Sequence, residues 1–225
     1  MLDIKQNLLI INQEIEKTCN IFGFKANQVN LIAVAKTVDK SLIYQAIENG
    51  CKVFGENYVQ EAKEKWPEIK LKFPQIKLHL IGHLQSNKSD EALQLFDSID
   101  SLDSEKLAIA IAKSARKYQK NPQIFIQVNI GNELQKSGVA INELEDFINF
   151  VKNDCKLNLV GLMAIPPENA LENGDVALYF GLLAKFAKKY HLKNLSMGMS
   201  NDFKQAIALG ATHIRIGSAI FGKRK

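Results

Sequence analysis

The feature that most constrains this chain is an alternation of two element types that runs through its whole length. Short β-rich runs occur at 31–36 (LIAVAK), 51–55 (CKVFG), 77–83 (KLHLIGH), 96–100 (FDSID), 123–130 (QIFIQVNI), 157–165 (LNLVGLMAI), 194–199 (NLSMGM) and 212–217 (THIRIG). Segments with helical spacing separate them. Asp39 is placed to cap a helix that Gly50 closes, Asp103 opens "DSEKLAIAIAKSARKY", and Ser200 opens "SNDFKQAIALG", closed by Gly210. Ahead of the first run, Ile4, Leu8, Ile11 and Ile15 share one face of a leading helix. Strands that alternate with helices build parallel βαβ units. Eight of them predict an α/β fold, a single (β/α)8 TIM barrel with an extra N-terminal helix, with 1–225 as one domain. The alternative is an open doubly wound sheet, but no G-x-G-x-x-G follows the first run.

A barrel of this kind carries its site at the C-terminal ends of the strands. The distinctive polar residues fall there. Lys36 ends the first run, Asn57 follows the second and His83 ends the third. Asn129 and Met163 lie near the ends of the fifth and sixth, Ser200 follows the seventh, and Arg215 to Ser218 end the eighth.

Lys36 shares strand parity with Ile32 and Val34, which sets its ammonium over the barrel mouth if those two fill the core. Desolvation among apolar neighbours makes such an amine less basic and able to condense with an aldehyde to a Schiff base. A strand-end lysine that snorkels into water is the plainer alternative. "SMGMSND" turns through Gly198 toward Ser200, and "RIGSAIFG" supplies a second turn with Gly217 and Ser218. The loops after strands seven and eight are the usual phosphate site of this barrel class, so together they point to a phosphate. Arg215 should point inward between those turns and the lysine. Either a carboxylate pairs with it, or it donates to a ring nitrogen. A lysine, a phosphate cradle and an inward arginine around one mouth describe a site for pyridoxal 5'-phosphate, held as an aldimine on Lys36.

Other candidates are less specific. Asn57 either reaches the ring edge or caps the following helix. His83 can approach the cofactor, whereas His79 reads as a packed barrel histidine; at about 3.3 Å per residue the two stand roughly 13 Å apart, too far to share a metal. His191 and His213 have no evident partner. Met163 fits the core or a cofactor contact.

Composition narrows the function classes. Cys19, Cys51 and Cys155 are odd in number and far apart, against a disulfide framework or a cysteine zinc site, and a reducing cytoplasm is expected. The net charge of +5 is spread over amphipathic segments, with clusters only at Lys188–Lys189 and the "KRK" tail. No aromatic-interleaved basic stripe accompanies it, so no nucleic-acid partner is expected. No uncharged apolar stretch matches a membrane span, and no signal peptide or membrane association is expected.

The blocks "AVAKTV", "FGENYVQEA", "LIGHLQSNK", "QVNIGNELQKSGV", "GLMAIPP" and "LSMGMSNDFKQAIALGATHIRIGSAIFG" resemble the pyridoxal phosphate homeostasis proteins, barrel relatives of the N-terminal domain of alanine racemase, also called the proline synthetase co-transcribed family. The resemblance implies that Lys36 binds pyridoxal phosphate, Ser200, Gly217 and Ser218 serve its phosphate, Arg215 its pyridine nitrogen and Asn57 its ring surroundings. It also implies a role in intracellular vitamin B6 balance, with pyridoxal phosphate-dependent apoenzymes as partners. Racemases of the related barrel add a C-terminal β domain and a second base from a dimer partner. This chain ends at Lys225, soon after the eighth run, so that domain is not expected, and the chain is expected to act as a monomer. An arginine at the ring nitrogen disfavours a proton there and weakens the ring as an electron sink. The expectation is therefore a carrier or buffer of the cofactor rather than an enzyme, with a slow amino-acid racemase as the alternative.

Overall fold

The computed structural model describes residues 3–133 and 135–222; the basic tail at 223–225 lies outside the described residues. Its first element, α1 (Ile4–Phe22), is the leading helix of the sequence pattern. The Asp3 carboxylate accepts the Gln6 N–H at its start, Gly23 ends it in the left-handed conformation at φ 74°, and Ile4, Leu8, Ile11 and Ile15 are buried. Burying each is worth about 1.5–3 kcal/mol. That face packs on α2 (Lys40–Glu48) and on the last two helices, α8 (Phe203–Ala208) and α9 (Ser218–Phe221). The Asn7 side-chain amide adds a bond to the Ile220 carbonyl at 2.9 Å.

The strands are β1 (Asn30–Val34), β2 (Val53–Glu56), β3 (Lys77–Leu80), β4 (Ser98–Leu102), β5 (Gln123–Val128), β6 (Leu159–Ala164), β7 (Asn194–Ser196) and β8 (His213–Ile216). Each pairs in parallel with the next, and β1 pairs with β8, closing the barrel. Between them stand α3 (Val59–Lys72), α4 (Ser89–Leu95), α5 (Glu105–Tyr118), α6 (Leu144–Asn149) and α7 (Val176–Lys189). The main apolar core fills the layer between strands and helices, with Phe54, Trp66, Ile69, Leu78 and Phe180 fully buried.

Inside the barrel the packing is different. Barrels of this class usually fill their centre with branched apolar side chains, and Ile32, Phe125 and Met163 do contribute here. Most of the remaining space belongs to buried polar groups: His79, Ser98, Asp100, Ser196, His213 and Arg215. Their contacts join strands that are not neighbours, β4 to β7, β6 to β8 and β3 to β8, so they cross the interior. Gly55 makes room for this filling, since a Cβ there would sit 2.9 Å from both Ile32 and Ile81 side chains.

The sequence pattern placed every strand, and the structure shortens several. β1 stops at Val34: the Ala35 N–H makes one more bond to β2, on the Gly55 carbonyl, and the chain then turns, Val38 N–H to the Ala35 carbonyl. Lys36 therefore sits in a turn beyond the strand, followed by Thr37 in the left-handed region at φ 59°. β3 ends at Leu80, leaving His83 in a loop. Two cap assignments change as well. Ser104, not Asp103, precedes α5, and Asp202, not Ser200, precedes α8. Asp103 is drawn to His83, and Asp202 folds back to accept the Met199 N–H at 2.5 Å. Among the described residues no helix is long and apolar enough to cross a membrane, and no group of three or more His, Cys, Asp or Glu could hold a metal ion.

Candidate functional site

The C-terminal mouth is built where β1, β7 and β8 end side by side. Register sets Ile32 opposite Arg215, and a Cβ on Gly217 would stand 3.4 Å from the Val34 Cβ, so the turn after β8 adjoins the end of β1. Lys36, half-buried, follows two residues beyond Val34. Across the β7–β8 side, Gly198 turns the chain at φ 92° with its Cα packed so tightly that a Cβ would lie 2.5 Å from the Ala206 Cβ. Only glycine combines that dihedral with that approach. The turn carries Ser200, and its hydroxyl lies 3.4 Å from the hydroxyl of Ser218, the first residue of α9. Two hydroxyls from successive βα turns thus meet at one point.

Arg215 lies beneath these turns, 4% exposed. Its Nη1 donates to Ser196 Oγ at 2.9 Å and its Nη2 to the Ala164 carbonyl at 3.0 Å, while its backbone N–H binds the Gly198 carbonyl. A guanidinium has more N–H donors than these two side-chain bonds use, so it can meet a further acceptor above. Neither bond is to a carboxylate. Negative charge reaches it indirectly: Ser196 Oγ donates to Asp100 Oδ2 at 3.4 Å, and Asp100 also accepts from Ser98 Oγ at 2.6 Å and from His79 Nδ1 at 3.1 Å. Burial draws the Arg215 pKa down from its usual value, and the charges of Asp100 and Asp202 pull it back up. For Asp100 burial pushes the carboxyl pKa up, but His79, Ser98 and the nearby His213 outweigh it and hold it below the usual range. Asp202 goes the other way: burial raises its pKa more than the Met199 N–H and Arg215 lower it.

The relatives of this chain match over nearly all of it. Residues 4–225 fit the family model "Alanine racemase, N-terminal domain". A curated pyridoxal phosphate homeostasis protein of Pasteurella multocida is 39% identical over 98% of this chain and 97% of its own. The chain belongs to the pyridoxal phosphate homeostasis proteins. The solved structure of PipY of Synechococcus elongatus with PLP bound superposes with a TM-score of 0.79 at 33% identity, covering 93% of this chain and 100% of that one. An alanine racemase from Corynebacterium glutamicum shares the barrel alone, at TM-score 0.70 and 16% identity over 60% of its length.

Lys36, Ser200 and the Gly217–Ser218 turn follow the ends of β1, β7 and β8, with Arg215 on β8 beneath the last two turns. Asn57 joins the rim in the bend after β2, its backbone so close to Gly82 that a Cβ there would fall 2.3 Å from the Asn57 carbonyl oxygen. Met163 is fully buried on β6, with Gln127 and Ser196 as register neighbours, and belongs to the packed layer under the site. His83 is exposed, its Nδ1 held 3.1 Å from Asp103 Oδ2. His79 is the packed barrel histidine expected, and His213 acquires partners that the sequence did not name: Thr212 Oγ1 at 2.9 Å, Asn30 Nδ2 at 3.4 Å and the edge of Phe125.

Sequence reasoning passed over Ser196 and Asp100, although both were legible. "FDSID" alternates Ser98 and Asp100 with Ile99, so the two polar residues share a parity that a barrel interior must accommodate. It also passed over Glu61 and Lys65 of α3, whose i,i+4 spacing reads as an ordinary solvated pair. In the fold Lys65 is 8% exposed.

Proposed function

We propose that this protein binds pyridoxal 5'-phosphate covalently through Lys36 and serves vitamin B6 homeostasis by storing the cofactor and handing it on to apoenzymes, acting as a monomer. The donor set fits the group: a primary amine in the turn after β1, a hydroxyl pair on the turns after β7 and β8 and a guanidinium beneath. The observation that carries the reading is the meeting of the Ser200 and Ser218 hydroxyls, 3.4 Å apart, beside the strand that leads to Lys36. In this reading Ser200, Ser218 and the backbone at Gly217 take the phosphate, Arg215 donates to the ring nitrogen, and Asn57 borders the ring. Met163 supports it from below, and His83 guards the outer rim. The relatives named for pyridoxal phosphate homeostasis and the Synechococcus protein with PLP bound support the same reading.

When bound, this cofactor supplies an electrophilic aldehyde and an electron-withdrawing ring. How far the ring withdraws depends on the protein. Arg215 is a permanent donor at the ring nitrogen and opposes a proton there, which favours holding over carbanion chemistry. Two-sided proton transfer would also need an acid and a base on opposite faces of the substrate carbon. Lys36 supplies one such group.

The test uses protein loaded with the cofactor. Incubated with L- or D-alanine it is expected to leave the enantiomer unchanged, and mixed with a pyridoxal phosphate-dependent apoenzyme it is expected to restore that enzyme's activity. Inversion at ordinary enzymatic rates, lost in Lys36→Ala, would overturn the carrier reading in favour of a racemase.

A further inference from the structure

Lys36 stands in a turn, and turns are the mobile parts of a barrel. Here both peptide groups flanking it are held from one helix. The carbonyl before it, of Ala35, accepts a bond from Lys65 Nζ at 2.8 Å. The N–H after it, of Thr37, donates to Glu61 Oε1 at 2.5 Å. Glu61 and Lys65 are neighbours on α3, joined to each other at 2.8 Å. Lys65 is anchored in turn: it is 2.6 Å from Glu56 Oε1 at the end of β2, and the same oxygen accepts the Trp66 Nε1–H at 2.9 Å. Glu56 is fully buried, with its other carboxylate oxygen unbonded among the described residues. The three acceptors around Lys65 Nζ match the three protons of an ammonium.

We propose that Glu61 and Lys65 are positioning residues for Lys36: they clamp the turn, fix Thr37 in its left-handed conformation, and so set the speed with which the Lys36 amine captures an aldehyde. The inference rests on the cofactor reading above and deepens it. The capture forms a carbon–nitrogen double bond between Nζ and the aldehyde carbon and releases one water, which takes up the oxygen and two protons from the neutral amine; nothing is oxidised or reduced. An amine displaced by about 1 Å from its attack geometry can lose on the order of 100-fold in rate.

The experiment follows visible absorbance after mixing full-length protein with pyridoxal 5'-phosphate, with melting temperature recorded for each variant. Lys65→Met and Glu61→Ala are expected to slow capture by about 10- to 100-fold. Glu61→Gln keeps an acceptor for the Thr37 N–H and is expected to stay within about threefold of wild type. Lys70→Met is the control for mere loss of stability. Lys70 lies on the same helix and makes the same kinds of bond, 2.7 Å to the Leu95 carbonyl and 2.7 Å to Asp97, away from the Lys36 turn. Its capture rate should match wild type. If Lys65→Met does not fold, the contrast between Glu61→Ala and Glu61→Gln decides. Equal rates for those two, or a slowing in Lys70→Met as large as in Lys65→Met, would overturn the inference and leave the cofactor reading standing. A wild type that captures nothing on Lys36 removes that reading, and the clamp with it.

Discussion

Asp100→Asn is expected to be among the most destabilising single-atom exchanges available in this protein. The carboxylate receives Ser98, Ser196 and His79, all donors, and with Asp202 provides the negative charge near Arg215. An amide in its place removes that charge and points N–H groups at donors. Breaking a buried charge pairing from one side costs about 3–5 kcal/mol. For a chain of this length each kcal/mol moves the melting temperature by about 2–4 °C, so a fall of roughly 6–20 °C is expected by calorimetry. Glu145→Gln, which disturbs an exposed pair with Lys189, should shift it little, because solvent screens that pair. If the two substitutions shift the melting temperature equally, the interior network does not hold the barrel together as described.

A second large effect is expected from pH. Burial lowers the His213 pKa to about 4, with Asp100 opposing the shift and His79 and Arg215 adding to it. Its ring meets His79 from β3, Phe125 from β5, Asn30 from β1 and Thr212 beside it, and it lies within the field of Asp100 from β4 and of Arg215. The unfolded chain takes up this proton near the ordinary histidine value of about 6.5. Between that pH and about 4 the unfolded state therefore binds more protons than the folded one, and stability must fall as pH is lowered through that window. The displacement corresponds to about 3 kcal/mol. Asp100, whose pKa is also lowered, adds a further loss only at more acid pH, where the unfolded chain's carboxyl takes up a proton that the folded one still refuses. Urea midpoints at pH 7 and pH 4.5 should differ markedly in wild type and much less in His213→Gln. An equal acid dependence in the two proteins would place the responsible proton elsewhere.

Much of this architecture is written locally. Alternating runs, the Ile4-Leu8-Ile11-Ile15 stripe and the glycines at 50, 198 and 210 mark elements and turns because each reports its own backbone need, and all three glycines take positive φ. Strand parity likewise carried Arg215 inward. The cap positions were less legible, since Ser200 and Asp202 are both good caps; Asp202 takes the position before α8, with its carboxylate on the Met199 N–H and not on the helix. The polar interior was the least legible. It depends on which strands face each other across a closed barrel, and that is set by closure, not by any single run. Lys65 teaches the same lesson: its partners lie at Ala35, Glu56 and Glu61, on three elements that only the fold assembles.

The most direct measurement is chemical. Full-length protein equilibrated with pyridoxal 5'-phosphate is reduced with borohydride, digested and mapped by mass spectrometry. The expected result is one dominant adduct, on the peptide containing Lys36, absent after Lys36→Ala. A dominant adduct on any other lysine, or none on wild type, would contradict the assignment.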